Sequence, residues 1–237
     1  MSADSELRNI VNRFSYTKVL QFRIRTHRSS LSTHHFLFVM TIFVIAGTAS
    51  NVGKTSLVCD LLRAFPGYEA IKLTRGHSRS CGRAPAACCV SPLLQDQPLI
   101  LSDPEQTKIP GKDTGKYWVA GATNVHWVIA KEDQVEPGIE QALARVTAPG
   151  VIIEGTSVLK YFQPSSSVLV SRSPLIEIKS TARQALQAGH IRSIYLNGSA
   201  PRPLEPLFAG IPIYTPDDFP ALVNHLKRLE AVVAIGD

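Results

Sequence analysis

The sequence predicts an α/β fold built on a doubly wound, mostly parallel sheet. From Thr41 onward, short runs rich in β-branched residues alternate with segments of helical length, which is the pattern of a parallel sheet covered by helices. The first run leads directly into a glycine-containing loop and a helix-compatible stretch, as in sheets that bind ligands at the carboxyl ends of their strands. The predicted strands are 41–46, 69–73, 125–130, 150–154, 167–171, 191–196 and 211–214, and the predicted helices are 54–64, 135–146, 180–188 and 217–230.

The first predicted strand leads into a loop whose residue types suit a phosphate group. Residues 47–55 read Gly-Thr-Ala-Ser-Asn-Val-Gly-Lys-Thr. Gly53 lets the backbone approach a phosphate, Lys54 adds a mobile charge, and Thr55 offers a hydroxyl to Mg²⁺. The helix that begins here directs the positive end of its dipole at the same anion. We therefore predict that ATP or GTP binds with Mg²⁺ to the following residues: Gly47, Thr48, Ser50, Asn51, Val52, Gly53, Lys54, Thr55 and Ser56.

The second predicted strand carries two cations at its carboxyl end. Lys72 and Arg75 lie where a parallel sheet presents side chains to a ligand, and His77 is close to them in sequence. We predict that Lys72 and Arg75 contact an anionic second substrate. The alternative is a cationic rim that only raises the local electrostatic potential.

The stretch from Gly76 to Thr114 is rich in Pro, Gly, Ser and Cys, and we predict that it is irregular. It is too long for a passive connection, so we expect an insertion at about 76–112 that covers the substrate. The thiolates of Cys81, Cys88 and Cys89 are candidate ligands for zinc or an iron–sulfur cluster, but their spacing lacks the usual Cys-x-x-Cys pair. The pattern therefore favours reduced thiols without a metal.

Two further segments supply charged side chains that suit the same site. Glu154 ends a buried-type run, where it can bind Mg²⁺, orient a water molecule or merely cap the next turn. Residues 111–116 place Lys112, Asp113 and Lys116 around two glycines. That composition suits the rim of a polyphosphate site, although ordinary solvated turns have it too.

The segment Asp113-Thr114-x-Lys116-x-x-x-Ala120-Gly121-Ala122, taken with the phosphate loop and Glu154-Gly155, resembles the molybdopterin-guanine dinucleotide biosynthesis adaptor family, MobB. The similarity runs from about residue 41 to 175. It implies a P-loop NTPase of the dethiobiotin-synthetase-like class, which binds GTP with Mg²⁺ and assists a partner enzyme that attaches a nucleotide to molybdopterin. It also implies that Lys54 and Thr55 contact phosphate and Mg²⁺, and that Asp113 and Glu154 lie near the metal.

The residues and the resemblance together predict a Mg-dependent P-loop NTPase that works by positioning phosphoryl groups. Two alternatives stay open. The first is an ATP-dependent ligase or kinase that acts on a small carboxylate, because the loop form Gly-Thr-x-x-x-Val-Gly-Lys-Thr is similar to that of dethiobiotin synthetase. The second is a regulatory module that binds nucleotide with little turnover and works through a protein partner. The predicted catalytic residues are Lys54, Asp113 and Glu154, the predicted Mg²⁺ ligands are Thr55, Asp113 and Glu154, and the predicted substrate contacts are Lys72, Arg75, Lys112 and Lys116.

Composition and charge bound the domain organisation. The formal net charge is +6, and residues 1–39 hold six Lys and Arg against two acids, so the remaining chain is about +2. We expect residues 1–39 to be an appended basic extension, disordered or loosely helical, and 40–237 to be one P-loop NTPase domain. Four cysteines and the lack of a long apolar run predict a cytoplasmic protein with no membrane span. No nucleic-acid partner is expected, and assembly into a homodimer stays open.

Overall fold

Residues 40–76, 94, 96–173, 177–198 and 206–235 are described by the structure, which is a computed structural model. The predictions for residues 1–39 and for Cys81, Cys88 and Cys89 lie outside the described residues, as does His77. The predicted insertion at about 76–112 is described only at residues 76, 94 and 96–112.

Eight strands form one sheet, with the order β3-β4-β2-β5-β1-β6-β7-β8. Neighbouring strands are parallel, except that β3 runs antiparallel to β4. The first strand therefore lies near the middle of the sheet. The chain runs from it to β2, β3 and β4 on one side, returns to place β5 beside β1, and then continues through β6, β7 and β8 on the other side. The strands are β1 (Thr41–Gly47), β2 (Glu69–Arg75), β3 (Leu99–Leu101), β4 (Val125–Ala130), β5 (Gly150–Glu154), β6 (Ser166–Arg172), β7 (Ser193–Asn197) and β8 (Ile213–Tyr214).

Helices cover both faces of the sheet. Side chains alternate along β1, so that Phe43 and Ile45 pack in one core layer and Val44 and Ala46 in the other. The layer around Phe43 also contains apolar residues of α1, α3 and α6, whereas α4 and α5 pack in the second layer. The helices are α1 (Lys54–Ala64), α2 (Pro104–Thr107), α3 (Asp113–Val119), α4 (Val135–Leu143), α5 (Ser180–Gln187) and α6 (Phe219–Ile235).

This architecture confirms the predicted doubly wound α/β class. The predicted strands and helices all occur, with ends that differ by a few residues. The largest shift is at the end of α6, which extends to Ile235 and not to 230. At its start, a 3-10 turn at Pro216–Asp218 precedes the helix, and Asp218 accepts a hydrogen bond from the Thr215 hydroxyl at 2.7 Å. Among the described helices, none is long and apolar enough to cross a membrane.

The segment from Gly76 to Thr114, which was predicted to be irregular, contains short regular elements in its described part. These are β3 and α2, and α3 begins at Asp113. Sequence periodicity missed β3 because a three-residue antiparallel strand at the sheet edge is too short to show alternation. It missed α3 because Gly115 lies inside the helix, where glycine is disfavoured. Here glycine is required, since a Cβ on Gly115 would lie 2.0 Å from the carbonyl oxygen of Ile109.

Candidate functional site

The carboxyl ends of β1, β2, β5 and β6 meet around a cavity of about 540 Å³. Open parallel sheets bind ligands at this edge because the loops that follow the strands converge there. The volume lies within the range of small-molecule sites. The cavity is lined by Gly47, Ala49, Ser50, Asn51, Gly53, Lys54, Thr55, Ser56, Lys72, Leu73, Thr74, Arg75, Asp113, Lys116, Glu154, Gly155, Thr156, Ser157, Arg172, Lys179 and Thr181.

The loop between β1 and α1 is anchored at both ends. At its start, the Thr48 amide donates to the Val170 carbonyl at 3.0 Å. At its end, Gly53 has φ +100°, and a Cβ there would lie 2.0 Å from Asn197 Nδ2, which itself donates to the Val52 carbonyl at 2.9 Å. Only glycine therefore fits at the turn into the helix.

The middle of this loop keeps its amide donors free. Among the hydrogen bonds of the described residues, none is donated by the backbone amides of 49–53. The first turn of an α-helix also leaves its amides without intrahelical partners, and α1 begins at Lys54. A loop of free amides that runs into a helix N-terminus is a site for a phosphate chain.

Lys54 folds back over the loop. Its side chain packs against Gly47, where a Cβ would lie 2.7 Å from the Lys54 Cδ, and its ammonium donates to the Ala49 carbonyl at 3.4 Å. Burial lowers the pKa of Lys54, and the charges of Lys72 and Lys179 lower it further against the opposing effect of Glu154. An anion in the loop would stabilise this ammonium.

Beside the loop, one ammonium joins two carboxylates. Lys72 Nζ lies 2.7 Å from Asp113 Oδ2 and 2.6 Å from Glu154 Oε1. The Thr55 hydroxyl donates to Glu154 Oε2 at 2.9 Å. Partial burial raises the pKa of Asp113, but the hydrogen bond from Lys72 and the charges of Lys72 and Lys116 bring it below its usual value. Asp113 is therefore an ionised acceptor at neutral pH.

Tyr117 supports this cluster from the core. Its ring is fully buried, and its hydroxyl donates to Glu154 Oε2. Burial and the Glu154 carboxylate raise the pKa of Tyr117 well above its usual value, so the hydroxyl remains a donor. Sequence reasoning missed this contact, because the register of α3 cannot be read from a segment interrupted by glycine.

The oxygen donors of the cluster fit Mg²⁺ held together with a nucleotide. Hydroxyl and carboxylate oxygens are the ligands this hard cation prefers, and it is commonly bound by one or two protein groups plus substrate phosphates. The Thr55 hydroxyl and the carboxylates of Asp113 and Glu154 meet at the cavity. Across the described ranges, no group of three or more His, Cys, Asp or Glu residues could hold a metal by itself. The phosphates would have to supply the remaining ligands.

Most of the predicted site residues line one cavity, and three do not. Thr48 turns its hydroxyl to Ser171 Oγ at 3.3 Å, Val52 is buried in the core, and Lys112 precedes α3 outside the cavity lining. Arg75 lines the cavity, but Glu132 Oε2 holds its guanidinium at 2.7 Å. The residues brought together are Gly47, Ser50, Asn51, Gly53, Lys54, Thr55, Ser56, Lys72, Arg75, Asp113, Lys116 and Glu154.

Sequence reasoning missed the wall of the cavity that follows β6. Arg172 ends that strand, and Lys179 and Thr181 lie at the start of α5. Ligands bind at the carboxyl ends of parallel strands. This rule was applied to the second predicted strand; applied also to the predicted strand 167–171, it would have selected Arg172 and Lys179. Thr156, whose hydroxyl accepts from the Gly47 amide at 3.0 Å, carried no such signal.

A scan against protein-family models finds no matching family, and a search of the curated proteins finds no match either. Among solved structures, the chain is similar to the "apo" form of LpxK from Aquifex aeolicus in complex with ATP, with 20% sequence identity and a TM-score of 0.43. The match covers 74% of this chain and 53% of that one, so this chain spans about half the length of that protein. In this chain the central strand β1 leads through the loop 48–53 into the N-terminus of α1, which is the strand–loop–helix arrangement of a phosphate-binding loop.

Proposed function

We propose that the protein binds a nucleoside triphosphate with Mg²⁺ and hydrolyses or transfers its terminal phosphoryl group. The observation that carries this proposal is the loop of residues 47–53, whose middle amides are free and which opens into a cavity lined by six cationic and two acidic side chains. A formal surplus of positive charge together with aligned amide donors favours a polyanion over a neutral or cationic ligand.

Each side chain of the cluster has a distinct part in the proposed reaction. The loop amides and Lys54 hold the phosphate chain, and Mg²⁺, when bound by Thr55 with Glu154 or Asp113, neutralises negative charge on it. The Asp113 carboxylate accepts a hydrogen bond from the attacking water or acceptor hydroxyl. The oxygen of that water or hydroxyl forms a bond to the terminal phosphorus and its proton passes to Asp113, while the bond to the bridging oxygen breaks and the nucleoside diphosphate leaves.

Calorimetric titration tests the binding site. ATP and GTP, each with Mg²⁺, are titrated into the wild-type chain and into Lys54→Ala. Because Lys54 donates a charge-assisted hydrogen bond, we expect its loss to weaken binding about ten-fold or more. The matched control is Lys227→Ala, which removes an exposed lysine on α6, and it should bind like the wild type. Equal affinity of Lys54→Ala and the wild type, with both folded, contradicts the proposed site.

A second candidate function is phosphoryl transfer to a small anionic acceptor, as in an ATP-dependent kinase or ligase. A groove of about 530 Å³ between α1 and residues 110–119 favours it, because the groove and the cavity share Thr55, Ser56 and Lys116. A molecule in the groove would reach the phosphate end of a bound nucleotide. Lys116 and Arg63 are the cations that line the groove, and Arg63 is paired with Asp60 at 2.7 Å, so that Lys116 is left to attract an anion. Turnover that depends on an added small acid would favour this function over hydrolysis.

The finer proposal is an adaptor role in attaching a nucleotide to molybdopterin. Its support is the resemblance of residues 113–122 and of the phosphate loop to the MobB family. An adaptor of this kind hydrolyses nucleotide slowly and binds a partner enzyme stably. Slow phosphate release that is unaffected by small acids, combined with a stoichiometric protein partner in a pull-down, is the result expected for it.

A further inference from the structure

The connection between β6 and α5 carries a lysine that is attached to the phosphate loop by both its backbone and its side chain. The Lys179 amide donates to the Thr48 carbonyl at 2.8 Å. Its ammonium donates to Ser50 Oγ, also at 2.8 Å. The side chain of Lys179 therefore lies beside the part of the loop whose amides are free.

Lys179 differs from three other cations of the cavity in the kind of group that its side chain contacts. Lys72, Arg75 and Lys116 each lie within 4 Å of a carboxylate oxygen. Within the part of the chain that the structure describes, no carboxylate forms an ion pair with Lys179, whose side-chain partner Ser50 is neutral. An ammonium group has three donors, so a phosphate oxygen can be bound in addition to Ser50 or in its place.

The position of this charge costs free energy in the unliganded protein. Lys179 is close enough to Lys54 for their repulsion to lower the pKa of Lys54, in addition to the effect of burial. Two ammonium groups that repel each other across a loop of free amides are stabilised together when a polyanion lies between them.

We propose that Lys179 is a second phosphate-contacting lysine, which leaves Ser50 for the terminal phosphate of the bound nucleotide and stabilises the charge that develops there. This inference rests on the proposed nucleotide site. As the oxygen of water or acceptor bonds to the terminal phosphorus and the bridging oxygen departs with the diphosphate, negative charge shifts among the phosphate oxygens. Lys179 neither gives nor takes a proton; its ammonium stabilises the negative charge of the transferred group.

The test compares Lys179→Met and Lys179→Arg in binding and in turnover. Mg²⁺ complexes of the nucleoside diphosphate and of a non-hydrolysable triphosphate analogue are titrated calorimetrically, with the base that the wild type prefers. We expect Lys179→Met to weaken binding of the triphosphate analogue about ten-fold and binding of the diphosphate less than about two-fold. We expect kcat for phosphate release to fall about 100-fold, as for the loss of one donor to a developing charge, and Lys179→Arg to restore most of both.

Controls separate this inference from the proposed function. Lys227→Met removes an exposed lysine elsewhere and should behave as wild type, and Lys179→Gln replaces Lys179→Met if the latter melts early. Equal weakening of di- and triphosphate binding, or no change in either, overturns the role of Lys179. If Lys54→Ala loses affinity for both nucleotides while Lys179→Met does not, the nucleotide site stands and this inference fails. If the wild type binds neither nucleotide, both fail.

Discussion

At the scale of single residues, Glu154 affects both the chemistry of the site and the stability of the core. It is 3% exposed, and a carboxylate so deeply buried needs partners for both oxygens. Oε1 accepts from Lys72, and Oε2 accepts from Thr55 and Tyr117. If Thr55 turns to a metal when nucleotide binds, Tyr117 keeps the second oxygen satisfied and oriented.

Replacing Tyr117 with phenylalanine therefore tests both stability and turnover. We expect Tyr117→Phe to lower the free energy of unfolding by about 1–3 kcal/mol, because a buried acceptor loses a donor. We also expect Tyr117→Phe to lower kcat by a larger factor than it lowers the affinity for the nucleotide. Urea unfolding and phosphate-release kinetics measure the two effects. Tyr161→Phe is the matched control, since the Tyr161 hydroxyl donates to the Glu132 carbonyl and Tyr161 does not line the cavity, and it should change neither quantity substantially.

At the scale of elements, the phosphate loop depends on Gly53 for two separate reasons. One is its positive φ of 100°, which disfavours any other residue by about 1–2 kcal/mol. The other is the contact with Asn197 at the end of β7, which leaves no room for a Cβ. Gly121 has the same φ of 100° but no atom within 4 Å of its ideal Cβ position.

This pair of glycines permits a matched experiment. We expect Gly53→Ala and Gly121→Ala to lose similar stability from backbone strain, with an additional loss in Gly53→Ala from the clash with Asn197. Nucleotide affinity should fall about ten-fold or more only in Gly53→Ala, because only there does the loop have to move. Thermal unfolding and calorimetric titration give the two numbers. Unchanged affinity in Gly53→Ala would show that the loop geometry is not what binds the nucleotide.

A buried network ties several elements together at the opposite edge of the sheet. Glu69 on β2 accepts from the amides of Thr147 and Ala148 at 2.9 and 3.0 Å, and its other oxygen lies 2.7 Å from His126 Nε2 on β4. His126 Nδ1 lies 2.9 Å from the Ser102 hydroxyl, just after β3. The edge strand β3 is thereby linked through β4 to β2.

This network gives stability a defined pH dependence. Burial raises the pKa of Glu69, but the hydrogen bonds with His126 and Thr147 outweigh it and bring the pKa below its usual value. A carboxyl with a lowered folded pKa stabilises the protein above its unfolded pKa, about 4.3, and loses that contribution as the pH falls through the folded value. We expect Glu69→Gln to cost about 1–3 kcal/mol at pH 7 and less below pH 4.

Urea unfolding at both pH values measures this difference. Glu140→Gln, which neutralises an exposed acid on α4, is the control and should be near neutral at either pH. A Glu69→Gln deficit that stayed constant between pH 7 and the acid range would show that the charge of Glu69 contributes nothing.

The success of sequence reasoning differed between elements for physical reasons. Buried parallel strands and long amphipathic helices have strong periodic patterns, so β1, β5 and α1 were predicted within a few residues. The loop after β1 was predicted because its chemistry is local. Lys72 and Glu154 were predicted to share a site, but their ion pair depends on the pairing of β2 with β5, which no local pattern encodes. Lys179 reaches the loop through the pairing of β6 with β1 in the same way.

At the scale of the whole molecule, charge is distributed so that the cavity and residues 1–39 hold much of the cationic surplus. Residues 40–237 carry only about +2 by the same count that gives +6 for the full chain. The cavity therefore attracts anions through local concentration of charge and not through the net charge of the domain.

A chain that begins at Met40 tests whether the extension contributes to the site. We expect deletion of residues 1–39 to leave the nucleotide dissociation constant within about two-fold, because the described cavity is lined only by later residues. Titration of the shortened chain at two ionic strengths measures this. A large loss of affinity or of folded protein would show that the extension belongs to the domain.

The sheet ends in β3 on one side and β8 on the other, which have three and two residues. Strands this brief expose few unpaired peptide groups, so another copy of the chain finds little backbone to extend the sheet by edge-to-edge addition. The fold thereby limits fibrillar association at its margins, and the long, apolar parallel strands that would template it are enclosed between their neighbours.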